Sequence, residues 1–259
     1  MTAPVFSRLD GQVAVVTGAS GGIGRAIALA LAGQGASLVL HGNKHIEAAL
    51  QLAGEIASLG PTAVAEQADL GVPEQADRFA DAAWNWRGGV DVWVNVAGAD
   101  VLTGEAARGS FDDKLAALWN VDVRATIRLS RSIGQRMQAR GSGAIINVGW
   151  DQAEQGMAGD SGQLFSAAKG AIIAFTRSLA QSLAPEVRVN CLAPGWIRTA
   201  WGEQASAAWD ARARRESLRN RWGTPDDIAQ AAAFLASPAA DFINGQVIPI
   251  NGGFRFAAP

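Results

Sequence analysis

The chain of 259 residues contains no tyrosine. No phenol is therefore available anywhere in it to give or take a proton. It has one cysteine, Cys191, which excludes an internal disulfide and any thiolate cluster around a metal. Within "VRVNCLA" that cysteine reads as a small buried hydrophobe on a strand. Two histidines, His41 and His45, do not by themselves build a metal site, so no metal is expected. The formal net charge is −2, and no basic run is long enough to follow a phosphate backbone, so no nucleic-acid partner is expected. No apolar stretch approaches the roughly 20 residues that span a bilayer. The start, "MTAPVFSRLD", lacks the charged-then-apolar order of a signal segment. These absences point to a cytoplasmic protein without a membrane partner, acting on a small molecule.

What is present is a core. Apolar residues make up 49% of the chain, enough for one large α/β domain. Short β-branched runs at 13–17, 37–41, 62–67, 90–95, 143–149, 187–193 and 245–250 read as buried strands. Helical patterns lie between them near 22–34, 44–59, 73–87, 112–140, 161–183 and 225–236. This alternation predicts parallel pairing with right-handed crossovers and helices on both faces. The expected fold is α/β: one doubly wound parallel sheet of Rossmann type, a single domain over residues 1–259. Residues 196–222 break the pattern, being charged and rich in tryptophan. They follow a strand's carboxyl end, where ligands bind in such sheets, so they are expected to form a short helical segment covering the substrate. Arg212, Arg214, Arg215, Arg219 and Arg221 there read as a solvated face.

"VAVVTGASGGIGRAIALALA" places Gly18, Gly22 and Gly24 between the first strand and the first helix. The backbone must turn tightly there and then admit a pyrophosphate, which a Cβ would obstruct. The helix aims free N–H groups and its positive end at the phosphates. In this strand-to-helix context the glycines indicate a dinucleotide site.

The order T-G-x-x-x-G-x-G, then "NVAG" at 95–98, Asn120, "SAAKG" and "APGWIRT", resembles the short-chain dehydrogenase/reductase family over essentially the whole chain. The resemblance implies that Thr17, Gly18, Ser20, Gly22, Ile23 and Gly24 form the cofactor loop. It implies adenine contacts at Asp69 and Leu70, and a segment of Asn95, Ala97 and Gly98 that stabilises the central sheet and passes the adenosine ribose. Val96 departs from the family's usual asparagine. Asn120 is similar to the helix asparagine that holds a water in the proton path. Pro194, Gly195, Ile197 and Thr199 are similar to the loop that meets the nicotinamide amide. After the second strand, "SLVLHGNKHIEAA" has no acid until Glu47 to accept from ribose hydroxyls. His41, Asn43 and Lys44 are placed to donate to a 2′-phosphate instead. NADP(H) is therefore expected in preference to NAD(H), although Gly21 stands where many NADP-preferring relatives carry a basic residue.

The same resemblance exposes an altered reaction centre. The family pairs a serine and a tyrosine with a lysine. Here Lys169 is present, but Phe165 stands one helical turn before it at the tyrosine position. Where a serine pair is usual, the chain reads Gly149, Trp150 and Asp151. Pteridine reductases, a branch of the family, carry an aspartate near this place and read much like "AAKGAIIAFTRSLAQSLAPEVRVN", yet they keep the tyrosine. Asp151 becomes the leading proton donor, its pKa raised by burial beside Trp150 and lowered by Lys169. A small carbonyl or a C=N of a pteridine-like ring suits such a site, with Trp150, Trp196 and Trp201 stacking on a flat ring or simply packing. Two other readings stand beside this one. One is a lyase or isomerase assisted by Asp160 or Ser161; the other is a nucleotide-binding sensor or partner without catalysis. The resemblance also implies a homotetramer, with a dimer as the alternative. It would be built on the helices near 112–140 and 161–183 and on "GQVIPINGGFRFAAP".

Overall fold

The β-branched runs become seven strands of one parallel sheet. In the computed structural model, which describes residues 8–255, these are β1 (Val13–Thr17), β2 (Ser37–Gly42), β3 (Ala63–Gln67), β4 (Val92–Asn95), β5 (Gly143–Val148), β6 (Val187–Pro194) and β7 (Val247–Ile250). Their order across the sheet is β3-β2-β1-β4-β5-β6-β7, and every neighbouring pair is parallel. The order reverses between β1 and β4, which opens a crevice beyond their carboxyl ends. Residues 1–7 of the N-terminal stretch and 256–259 of the C-terminal segment lie outside the described residues.

Helices cover both faces. On one lie α1 (Gly22–Gly33), α2 (Ile46–Ser58) and α9 (Pro225–Ala236), packed on Ala14, Val16, Leu38 and Leu40. On the other lie α3 (Pro73–Asn85), α5 (Thr126–Arg140) and α6 (Asp160–Leu183), packed on Val13, Val15, Val39 and Trp93. Successive β1 residues thus serve opposite layers, and both layers are dry. That is why the strands read as unbroken apolar runs. The start of α9 is fixed by a capping box: the Thr224 hydroxyl accepts from the Asp227 N–H, and the Asp227 carboxylate accepts from the Thr224 N–H.

Two departures from the sequence reading matter for the site. The helix expected over 112–140 is split into α4 (Phe111–Leu118) and α5 by a π-helical turn, Trp119–Ala125. Such a turn inserts a residue into the helical repeat and re-aims the side chains on it. The helix expected from 44 begins at Ile46, so Asn43, Lys44 and His45 precede it. The covering segment holds α7 (Ala200–Glu203) and α8 (Ala207–Glu216), as a short helical insertion should.

Candidate active site

The glycine loop is shaped by close approaches of backbone to backbone. Gly18 has φ +67°, and a Cβ there would lie 2.8 Å from the Ala97 Cα. A Cβ on Gly24 would lie 2.1 Å from the Gly18 carbonyl oxygen, so α1 can pack this close to β1 only with glycine at that position. Gly21 caps α1 with no side-chain hydrogen bond, and no acid stands in the first turn. The free N–H groups of that turn are left for an anion. Ser20 is half-buried and Ile23 packs partly into the core. Thr199, at the start of α7, brings its Cγ2 to 3.5 Å from the position of a Gly22 Cβ, so the "PGWIRT" segment meets the glycine loop.

Two residues assigned to direct cofactor contact are committed elsewhere. The Thr17 hydroxyl accepts from the N–H groups of Val96 (3.0 Å) and Ala97 (3.1 Å) and is 1% exposed. It ties the glycine turn to the segment after β4. His41 is not a phosphate donor. It is buried, its Nδ1 accepts from the Gly18 N–H, and its Nε2 donates to the Ala68 carbonyl. Burial pushes its pKa below the usual histidine value, against the opposing pull of the Ala68 carbonyl and the Asp69 carboxylate. Of the three groups read as 2′-phosphate donors, Lys44 is exposed at the rim. Asn43 is half-buried, its carbonyl accepting from the Gln67 side chain. Asp69 closes a turn by accepting from the Gly71 N–H, while Leu70 is buried beneath it.

Asn95 anchors a buried polar network. It accepts from the Trp93 indole and donates to Ser130 and Asn147, and Asn147 donates to Thr176. Each polar atom so paired escapes the penalty of burial without a partner. The network locks β4, β5, α5 and α6 together beneath Ala97 and Gly98.

Lys169 on α6 is engaged by a side chain of the π turn. Asn120 faces Gly71, and the side chain that the π turn carries inward is Asp122. Asp122 is 2% exposed. Its Oδ1 lies 2.8 Å from the Lys169 Nζ, and its Oδ2 accepts from the Ala99 N–H at 2.8 Å. Lys169 also approaches the Val148 carbonyl at 3.4 Å. Sequence reasoning missed Asp122; its trace is an acid flanked by two valines in "WNVDVRA". Phe165 packs into an apolar cluster with Val101, Leu118, Val123 and Leu164, and the Trp150 ring meets it edge-on at 6.4 Å. Gly149 is required by its neighbours: a Cβ would lie 2.9 Å from the Cys191 Sγ and 3.1 Å from the Ile173 Cγ1. Cys191 is a buried strand residue, as expected, with its thiol pushed up to about 12 by burial.

Asp151 follows β5 and turns toward β6 and β7. Its N–H donates to the Pro194 carbonyl, its Oδ2 accepts from the Asn251 side chain at 3.0 Å, and its Oδ1 is buried with no partner. Burial pushes its pKa up to about 6, against the hydrogen bond from Asn251 and nearby backbone N–H groups; Glu216 adds to the rise. The groups acting on it do not include Lys169, contrary to expectation; the Lys169 ammonium pairs with Asp122 instead. Gly195 is held tightly here: its Cβ would lie 2.5 Å from the Asn251 Cβ and 3.1 Å from the Asp151 Oδ2. Pro194 and Ile197 are buried beside it.

The covering segment is a packed cap. Trp196, Trp201, Trp209 and Trp222 cover one another, with ring centroids 5.5–6.3 Å apart. Trp196 donates to Glu216 and Trp222 to Asp210. Trp196 and Trp201 therefore pack against each other and their neighbours, the packing alternative of the two readings. Of the arginines read as a solvated face, Arg212 lies over Trp196 and Trp209 and pairs with Glu216, Arg214 pairs with Asp210, and Arg221 pairs with Asp227. Asp160, raised for a lyase-type reaction, is exposed in the first turn of α6, and Ser161 is half-buried next to it.

Known proteins share this architecture over nearly all of its length. A family model described as enoyl-(acyl carrier protein) reductase matches residues 18–255. The 3-oxoacyl-[acyl-carrier-protein] reductase FabG of Vibrio cholerae is 34% identical over 246 residues, covering 95% of this chain and 98% of its own. Nodulation protein G of Rhizobium meliloti is 38% identical over 249 residues, covering 95% and 97%. A short chain dehydrogenase from Burkholderia cenocepacia, solved with NADP, superposes with a TM-score of 0.84 at 36% identity, over 95% of this chain and 98% of that one. A 7α-hydroxysteroid dehydrogenase, solved with NADH and 7-oxo glycochenodeoxycholic acid, gives 0.87 at 31% identity, over 95% of each chain. With a family model across nearly all of its length and relatives matched end to end, the chain belongs to the short-chain dehydrogenase/reductase family of NAD(P)-dependent oxidoreductases.

Proposed function

We propose that the protein is an NADP(H)-preferring reductase of a small carbonyl or C=N compound, a pteridine-like ring included, in which Asp151 takes the proton role of the absent phenol. The observation that carries this reading is the Asp151 carboxyl: buried, raised to about 6, with one oxygen free of partners and the other beside Gly195. The dinucleotide fits the residues present. The uncapped end of α1 receives the phosphates, Lys44 the 2′-phosphate, Asp69 and Leu70 the adenine, Ala97 and Gly98 its ribose. Lys169 and the segment from Pro194 to Thr199 receive the nicotinamide end. Bound there, the nicotinamide supplies hydride. The protein supplies position, which can outweigh a lost general acid.

Asp151 supplies the proton. A carboxyl with a pKa of about 6 is roughly one-tenth protonated at pH 7, and its basicity is close to the working pH, where a general acid is most effective. Asn251 holds one oxygen, leaving Oδ1 without a protein partner and so able to hold the proton. A substrate whose reduced form needs little help, such as a conjugated C=N, suits a site with a carboxyl and no phenol. The expected assembly is a homotetramer, with a dimer as the alternative.

A second reading has its own support. Phe165 is packed among apolar side chains and Lys169 is neutralised by Asp122, an arrangement suited to holding a nucleotide without turnover. The two part on one experiment. NADPH binding is followed by fluorescence, and its oxidation is followed with a panel of carbonyl and pteridine compounds, for the wild type and for Asp151→Asn. The reductase reading expects turnover that drops about a hundredfold or more in the variant at unchanged NADPH affinity. Binding without consumption across the panel supports the second reading, and unchanged turnover in Asp151→Asn removes Asp151 from the chemistry.

A further inference from the structure

His41, one residue before the end of β2, lies inside the core between the glycine loop and the segment that follows β3. Two consecutive amides of the glycine loop end on this one residue. The Gly18 N–H donates to the His41 Nδ1 at 3.0 Å, and the Ala19 N–H donates to the His41 carbonyl at 2.9 Å. The other ring nitrogen, Nε2, lies 2.9 Å from the Ala68 carbonyl. An amide only donates and a carbonyl only accepts, so a single form of the ring satisfies both neighbours: neutral, with the proton on Nε2. An imidazolium would set N–H against N–H at Gly18. The ring leaves almost no surface to water, at 3% exposure, and tilts against Phe79 of α3 at 5.1 Å. The charged group that faces it is the Asp69 carboxylate, from the segment after β3; Phe79 and the glycine loop bring none.

Gly18 opens the loop assigned to the phosphates, and Ala68 adjoins Asp69 and Leu70, assigned to the adenine. His41 is thus the strut between the two halves of the nucleotide site. We propose that His41 is a positioning residue for the dinucleotide, holding the glycine loop in register with the adenine segment while neutral and releasing it when protonated. The role rests on the cofactor reading above. It also explains why a histidine near the end of β2 does not reach the 2′-phosphate.

The test uses calorimetric titration of the full chain with NAD⁺ and NADP⁺ from pH 8 to pH 5, and ¹⁵N spectroscopy of the imidazoles. NAD⁺ lacks the 2′-phosphate, whose own titration near pH 6 would otherwise overlap. The ring is expected to show a bare Nδ1 and a protonated Nε2 at pH 7. Wild-type affinity for NAD⁺ is expected to fall about tenfold or more as the ¹⁵N signals report protonation of the ring, the scale of one buried hydrogen bond turned repulsive. His41→Asn keeps a short acceptor for Gly18 and does not titrate, so it should bind within about threefold of wild type at pH 8 and stay flat toward acid. His41→Leu should bind about tenfold or more weakly at every pH. If His41→Leu does not fold, the wild-type pH series and His41→Asn decide the matter. A flat wild-type profile, a ring protonated on Nδ1 at pH 7, full affinity in His41→Leu, or His41→Asn as weak as His41→Leu overturns the role of His41. A wild-type protein that binds neither dinucleotide at any pH overturns the cofactor reading beneath it.

Discussion

Replacing Asp122 by asparagine changes one atom and almost no volume, yet it should loosen the floor of the crevice. The carboxylate has two neighbours, the Lys169 ammonium on Oδ1 and the Ala99 N–H on Oδ2, each at 2.8 Å. Both neighbours only donate. A carboxamide has one accepting end and one donating end, so either orientation sets N–H against a donor. Solvent cannot repair this: the lysine side chain is 13% exposed and the aspartate 2%. Removing one member of a buried pair costs about 3–5 kcal/mol. The Val148 carbonyl at 3.4 Å keeps partial hold of the ammonium, which puts Asp122→Asn at about 2–4 kcal/mol. Lys169→Met alone strands the carboxylate and should cost a similar amount. The double replacement removes both the charge and the clash, so its cost should fall short of the sum by about 2 kcal/mol. Urea unfolding of the four proteins, with the slope of each transition checked for constancy, measures that coupling. Additive costs, or a single-variant loss below about 1 kcal/mol, would refute the reading of this pair as a buried contact whose members depend on each other.

Three further outcomes are expected. Gly24→Ala places a methyl group 2.1 Å from the Gly18 oxygen, so it should abolish measurable dinucleotide binding by calorimetry; retained affinity would mean that the loop does not carry the phosphates. Asp151, raised to about 6 in the folded chain against about 4 unfolded, binds more protons when folded, so its contribution to stability is lost as pH rises through that window. Asp151→Asn should therefore be more stable than wild type at pH 7.5, by on the order of 2 kcal/mol, with the gap closing below pH 4; a gap that does not vary with pH contradicts this. Phe165→Tyr puts a phenol one helical turn from Lys169 and should raise reduction of simple ketones at fixed NADPH affinity, as read by NADPH consumption; no gain would show that the apolar packing around residue 165 or the engaged lysine has closed that route.

Strand and helix identities were legible because they are written in neighbours. β1 is five apolar or β-branched residues that serve two dry layers, and α1 begins where glycines end a strand. The glycine loop was legible for the same reason, since a positive φ at Gly18 and the close approach at Gly24 are demands of the local backbone. The candidate site around Lys169 was legible only in part. The absence of tyrosine and the i, i+4 relation of Phe165 to Lys169 need no coordinates. The partner of Lys169 does, because it takes the π turn, which no local pattern announces, to bring Asp122 to the ammonium.

His41 and the tryptophans make the same point from the other side. Near the end of β2 a histidine followed by Gly42, Asn43 and Lys44 looks like an anion donor, and Trp196 and Trp201 read equally as a platform for a ring or as packing. Folded, His41 points inward between Gly18 and Ala68, and the tryptophans face one another. What the sequence by itself determined was the layered α/β fold, the tight glycine turn between β1 and α1, and the lack of a phenol. All three follow from local periodicity, backbone sterics and composition. Which donor meets which acceptor was decided only by the tertiary structure: Asp122 with Lys169, His41 with Gly18, Asn251 with Asp151. Such pairings join residues up to 100 positions apart at about 3 Å, a separation set by how whole elements pack and not by the residues on either side.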